Sequence, residues 1–188
     1  MIDKLKEAKY FNKINIIWGY NNIQIKEGDE WKATFLTNKG LFESQVMYFG
    51  LYNSPETFQR IINSIFQELL YKGVLANYMD DFVIPVKTKK ELEERMIRFL
   101  RIAEKHNLCF KRSKCDFNME EIPILGVIVG RGQVKMEQEK IEAVKEWKIP
   151  MKVKDVESFL RFANFYRCFI QNFSHTTKLL NELKSKKE

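Results

Sequence analysis

Two apolar runs, Val74-Leu75-Ala76-Asn77-Tyr78 and Phe82-Val83-Ile84-Pro85-Val86, are joined only by Met79-Asp80-Asp81. Short runs of this kind read as strands, and so brief a connection allows only an antiparallel hairpin. The hairpin carries two adjacent carboxylates at its tip. Neighbouring like charges raise each other's pKa unless a cation offsets them, and hard oxygen donors are what Mg²⁺ prefers. Taken alone, the pair reads more simply as an Asp-rich turn, because Asp tolerates turn geometry.

The segments around the hairpin alternate between the two periodicities. Short apolar runs broken by Asn21-Asn22, Glu27-Gly28-Asp29-Glu30 and Thr37-Asn38-Lys39-Gly40 predict strands and hairpins in the first third. Asn53-Ser54-Pro55 opens a helix with Phe58, Ile61, Ile62, Ile65, Phe66 and Leu69 on one face, closed by Gly73. Thr88-Lys89-Lys90-Glu91 is a capping-box pattern that starts a second helix, with Leu92, Met96, Phe99, Leu100 and Ala103 facing inward. A strand-turn-strand unit follows over 124–136, and then helices alone over 137–147, 153–173 and 174–184. Mixed elements followed by helices alone predict an α+β lobe over 1–136 and a helical lobe over 137–188.

Composition narrows the partners. The 188 residues carry 32 Lys+Arg against 25 Asp+Glu, a net charge of +7, with 45% hydrophobic residues. That is enough for a core and rules out a disordered tail. Residues 135–188 hold 12 basic and 8 acidic side chains, so four of the seven excess charges lie there. A basic balance suits a polyanion, although +7 is also ordinary for solubility. Cys109, Cys115 and Cys168 lack C-x-x-C spacing and His106 and His175 stand far apart, which argues against a disulfide framework or zinc site. No apolar run approaches the roughly 20 residues of a membrane span and no signal-peptide stretch opens the chain, so the expectation is a soluble, intracellular protein, nuclear or cytoplasmic.

Tyr78-Met79-Asp80-Asp81 between two apolar strands resembles the Y-x-D-D box of reverse transcriptases. The resemblance continues through Gly19-Tyr20-Asn21-Asn22, Val46-Met47-Tyr48-Phe49-Gly50-Leu51, Asn53-Ser54-Pro55, Lys114-Cys115-Asp116-Phe117, Leu125-Gly126 and 158–167, in the order of gypsy-type LTR-retrotransposon polymerases. It implies an α+β palm, an antiparallel sheet with helices on one face, plus fingers strands around 21–52, a primer-grip hairpin over 124–136 and a helical thumb over 137–188.

In that family two Mg²⁺ ions are held by an aspartate on the first palm strand and the first aspartate of the box, activating the primer hydroxyl and offsetting phosphate charge. Asp80 and Asp81 match the box as catalytic and metal-binding residues. The first-strand aspartate, four residues before Gly19-Tyr20, falls on Asn15. A neutral carbonyl there implies Mg²⁺ or Mn²⁺ held weakly or not at all, and catalysis lost. By the same match Tyr20 screens the nucleotide 2′ position, Gln59 contacts the incoming nucleotide, and Lys114 is the acid that protonates pyrophosphate. Gly126, Lys152, Lys154, Arg161, Asn164, Arg167 and Gln171 are implied to meet duplex nucleic acid, while Phe159, Phe162, Ala163, Tyr166, Phe169, Ile170 and Phe173 form the thumb core.

Fourteen residues precede Asn15, from which a missing first fingers segment and open strand edges are expected. The leading expectation is a silent polymerase that binds primer-template duplex, RNA–DNA or DNA. The alternatives are a weakly active or partner-complemented polymerase using Asp80 and Asp81, and a dimeric scaffold paired through its fingers strands.

Overall fold

The computed structural model describes residues 5–185. The hairpin that dominates the sequence forms β4 (Ala76–Tyr78) and β5 (Asp81–Val86). With β1 (Tyr10–Asn15) and β6 (Asp116–Met119) these make a four-stranded sheet of order β4-β5-β1-β6. β1 runs antiparallel to β5 from Tyr10 opposite Val86 to Asn15 opposite Asp81.

Apolar side chains on one face of this sheet set that register. Ile14, Phe82, Ile84 and Val86 are buried together with Phe58, Ile62, Phe66, Leu69, Leu92, Phe99 and Ala103. The last seven come from α1 (Ser54–Ile65), α2 (Gln67–Tyr71), the residue between those helices, and α3 (Lys89–Lys105). At the centre Phe66 stacks on Phe99 at 4.8 Å between centroids and meets Phe82 edge-on at 5.2 Å. Fully burying one such ring contributes about 1.5–3 kcal/mol, so the trio anchors the helices to this sheet.

Local chemistry explains the helix boundaries. Pro55 sits in the first turn of α1, where its missing N–H costs nothing. Thr88 caps α3 by accepting from the Glu91 N–H at 3.4 Å, and the Glu91 carboxylate accepts from the Lys87 N–H rather than from Thr88.

Several expectations need correction. The helix expected to run unbroken to Gly73 divides at Phe66, whose φ of −103° leaves the helical range as its ring enters the aromatic cluster. Leu100 faces out at 41% exposure. Residues 20–33 contain 3₁₀ turns at Tyr20–Asn22 and Glu30–Ala33 in place of strands. Between those turns only a single bridge forms, Gln24 opposite Val46, with the Ile25 N–H donating to the Gln45 carbonyl and the Met47 N–H to the Ile23 carbonyl, both at 2.9 Å, while the Gly28 N–H is taken by the Glu30 carboxylate at 2.7 Å. β2 (Thr34–Thr37) and β3 (Gly40–Glu43) do pair, as a two-stranded sheet with exposed Phe35, Leu36, Leu41 and Phe42.

The expected 124–136 hairpin is part of a larger meander, β7 (Glu121–Ile124), β8 (Val127–Gly130) and β9 (Gln133–Met136). Its two-residue loops, Leu125-Gly126 and Arg131-Gly132, have positive φ at both positions, which matches the right-handed twist of the strands they join. The chain divides into two compact units, and the boundary falls within this sheet instead of after Met136: Val129–Gln133 go with the first unit, and Pro123–Ile128 with the second.

In the second unit, α4 (Gln138–Lys145), α5 (Val153–Phe165), α6 (Phe173–Thr176) and α7 (Lys178–Ser185) follow in order. Trp147 packs on Phe159 and Phe162, and Phe162 on Tyr166, with centroids 5.2–5.5 Å apart. The expected helix over 153–173 stops at Phe165, because Tyr166 leaves helical φ at −98° and a 3₁₀ turn, Arg167–Phe169, follows. Losing the 3.6-residue period rotates Phe169 and Ile170 outward to 37% and 38% exposure, so neither is core. No helix among the described residues is long and apolar enough to cross a membrane.

Phe99→Ala should cost about 3–5 kcal/mol in urea denaturation, the range for emptying a packed aromatic site. Leu100→Ala, at an exposed position, should stay within roughly 0.5 kcal/mol of wild type.

Candidate active site

The β4–β5 ladder pairs Tyr78 with Asp81, leaving Met79 and Asp80 as a two-residue loop. Met79 is left-handed, with φ of +53°, a conformation disfavoured for side chains bulkier than glycine. Two bonds hold the loop: the Ile16 N–H donates to the Asp80 carbonyl at 3.1 Å, and the Met79 N–H donates to Gln59 Oε1 at 2.8 Å.

Asp80 lines a cavity of about 500 Å³ with Asn15, Gly19, Tyr20, Lys111 and Lys114, to which Trp18 and Phe49 also contribute. A Cβ on Gly19 would collide with Asp80 Oδ1 and come within 2.8 Å of the Phe58 ring. Only a glycine backbone lets the carboxylate sit there. Asp80 Oδ1 is buried without a hydrogen-bond partner. Burial first, then the neighbouring Asp81 charge, pushes its carboxyl above the ordinary value, and Lys114 acts in the opposite sense. Tyr20 packs edge-on against Phe58 at 5.4 Å, and its phenol is pushed up by burial and then by Asp80.

Asp81 meets different surroundings. Opposite it across the β1–β5 ladder, Asn15 Nδ2 donates to Asp81 Oδ1 at 3.2 Å. Lys13 Nζ lies 4.0 Å from the same oxygen.

Residues 1–129 match the family described as reverse transcriptase (RNA-dependent DNA polymerase). This chain belongs to the reverse transcriptase family. It is 34% identical over 179 residues to the retrovirus-related Pol polyprotein from transposon 297 of Drosophila melanogaster, covering 95% of this chain and 17% of that protein. It is 31% identical over 186 residues to the transposon Tf2-3 polyprotein of Schizosaccharomyces pombe, covering 99% of this chain and 14% of that one. The chain therefore spans about a sixth of the length of these relatives. Its fold is that of the foamy viral protease-reverse transcriptase, with a TM-score of 0.86 and 21% identity to the structure with an RNA/DNA hybrid, over 100% of this chain and 26% of that one. Against the structure with dsDNA the TM-score is 0.89 at 22% identity, over 96% and 31%.

The reverse-transcriptase fold thus brings Asn15, Tyr20, Asp80 and Lys114 to one cavity, with Asp81 bonded to Asn15 beside it. Gln59 does not line that cavity. Its carboxamide is engaged at both ends, with Oε1 on Met79 and Nε2 donating to Asn63 Oδ1 at 2.9 Å. Trp18 and Phe49, 78% and 89% exposed, and Lys111 also line the cavity, beyond the residues expected from the sequence. The one sequence signal for them is position: Trp18 directly precedes Gly19-Tyr20, and Phe49 stands within Val46-Met47-Tyr48-Phe49-Gly50-Leu51.

Reverse transcriptases use Mg²⁺ or Mn²⁺, and the residues present meet that requirement only in part. Asp80 Oδ1 offers an unpartnered oxygen. Against it, Asp81 Oδ1 accepts from an amide NH₂ and faces an ammonium, neither of which can ligate a cation. Among the described residues no group of three or more His, Cys, Asp and Glu side chains converges. The donor set does not fit a two-ion site.

In the second unit Lys152, Lys154, Arg161, Asn164, Arg167 and Gln171 are all exposed. Arg161 and Asn164 share a cavity of about 450 Å³ with Glu157 and Lys184. The break after Phe165 takes Arg167 and Gln171 off α5, so they do not share one helix face with Arg161 and Asn164. Gly126 packs against Tyr166, whose Oη would lie 2.5 Å from a Cβ there.

Asp80 holds its proton more tightly in the folded state than in the unfolded chain. Its contribution to stability is therefore fully present below the unfolded value of 3.8 and is lost as pH rises through the raised folded value. Asp80→Asn should have a higher Tm than wild type at neutral pH, and the difference should vanish below pH 3.8. Calorimetry across that range checks both the sign and the window.

Proposed function

We propose that this chain is the palm and thumb of a gypsy-type retrotransposon reverse transcriptase that binds primer-template duplex but no longer carries out templated DNA synthesis at an ordinary rate. The observation that carries the second half is the contact between Asn15 Nδ2 and Asp81 Oδ1 at 3.2 Å. Where a first-strand carboxylate would add charge for a cation, this chain has a neutral amide that donates a hydrogen bond to Asp81 Oδ1. Removing one group that stabilises transition-state charge costs roughly 10²–10³ in rate.

Duplex binding is supported by the fold shared with structures holding RNA/DNA hybrid and dsDNA. The exposed cations of the second unit, in the segment carrying 12 basic against 8 acidic residues, supply the electrostatics. Such binding reads phosphates and helix shape more than base edges.

Anisotropy with an RNA–DNA primer-template should show affinity falling linearly in log–log form as salt rises. Absence of binding at low salt refutes the reading. In primer extension with Mg²⁺ or Mn²⁺, wild type should extend at most slowly and Asn15→Asp should gain at least about a hundredfold. Robust synthesis by wild type would show an active polymerase instead. The same substitution should tighten Mn²⁺ binding measured by electron paramagnetic resonance.

A further inference from the structure

We propose that Gln59 is the positioning residue of the carboxylate hairpin: it clamps the left-handed Met79 through its backbone N–H and so fixes the direction in which Asp80 points.

Asp80 Oδ1 has no hydrogen-bond partner. What aims this oxygen is therefore the backbone beneath it. That backbone is anchored from two elements. β1 contributes at its end, where the Ile16 N–H donates to the Asp80 carbonyl at 3.1 Å. α1 contributes Gln59, whose Oε1 accepts from the Met79 N–H at 2.8 Å across twenty residues of sequence. The first bond fixes the exit of the loop and the second fixes its entry.

The second bond matters more for conformation, because Met79 has φ of +53°. A methionine held there has an easier alternative in the β region, and its N–H would be left partly buried without an acceptor if Gln59 were removed. The amide is also prevented from presenting its wrong end. Gln59 Nε2 donates to Asn63 Oδ1 at 2.9 Å, one helical turn on, so Oε1 is the end that faces Met79. Phe58 and Ile62, the buried residues flanking this turn of α1, seat the helix against the sheet and give the clamp a rigid base.

This role differs from contact with an incoming nucleotide, which the sequence motif suggested, and it holds whether or not the carboxylate pair binds a cation. It requires an acceptor at position 59, which Gln59→Glu retains and Gln59→Met lacks at similar length.

The test is amide hydrogen exchange at Met79 together with the rate of carbodiimide labelling of Asp80, followed by mass spectrometry. Gln59→Met should speed Met79 exchange by roughly tenfold to a hundredfold and label Asp80 several-fold faster. Gln59→Glu should keep both near wild type, with Asn63 turning its amide to donate. Ile62→Val, a plain packing loss in the same helix, should lower Tm yet leave Met79 exchange in place. Unchanged exchange in Gln59→Met overturns the proposal, as does equal loss in Gln59→Glu and Ile62→Val. If Gln59→Met does not fold, Gln59→Glu decides: retained protection supports the clamp, and lost protection overturns it.

Discussion

The pairing of β1 with β5 is held by the apolar face it buries, and the chemistry at its end follows from that burial. Ile14, Phe82, Ile84 and Val86 all point toward the helices. A slip of one residue would turn this set to the other side of the sheet. The face that locks the register therefore also places position 15 opposite Asp81. Any residue at 15 would meet Asp81, attractive or not, because hydrophobic burial has already fixed where the strand ends.

That constraint makes the identity of residue 15 a choice between two kinds of contact. A carboxylate there would face Asp81 at hydrogen-bond distance beside the half-buried Asp80, and three negative charges need a cation to be tolerated. The carboxamide replaces repulsion with a donated bond, and a hydrogen bond to a charged acceptor is worth about 1.5–3 kcal/mol. On the reading proposed, the donated bond that relieves the repulsion at Asp81 also stands where synthesis would need a charge, so stability and catalysis pull in opposite directions at position 15. Asp80 keeps the strained surroundings of an active site: the left-handed Met79, the glycine at 19 and the unpartnered oxygen.

Features encoded by short-range pattern were legible in the sequence. The hairpin, the Pro55 helix start and the Thr88 cap each rest on a few adjacent residues, and the structure realises all three. The breaks at Phe66 and after Phe165 were not legible, because the helical period continues through both in the sequence and only tertiary packing ends it. The same failure turned Phe169 and Ile170 into supposed core. At the site, Asn15, Tyr20, Asp80 and Lys114 could be placed from motif order, since strand ends and turns bring them together. Gln59 could not, because nothing local says that a helix side chain will spend its acceptor on a backbone N–H twenty residues away. Gly19 is a similar case: its need for no side chain exists only once Asp80 and Phe58 are beside it.

Binding and synthesis differ in how much geometric error they tolerate. Phosphate attraction depends on how many cations stand within a screening length of about 8–10 Å, so exposed Lys152, Lys154, Arg161 and Arg167 need not share one helix face to contribute. Phosphoryl chemistry depends on ligands held at hydrogen-bond distances, where one misplaced or missing charge removes most of the rate. The second unit builds its own aromatic core around Trp147, Phe159 and Phe162, and its surface charge follows from composition and exposure. On the reading proposed, a single neutral residue at position 15 slows the demanding function and leaves the tolerant one. The reverse order of loss would require neutralising several exposed cations, each contributing only a fraction of the binding.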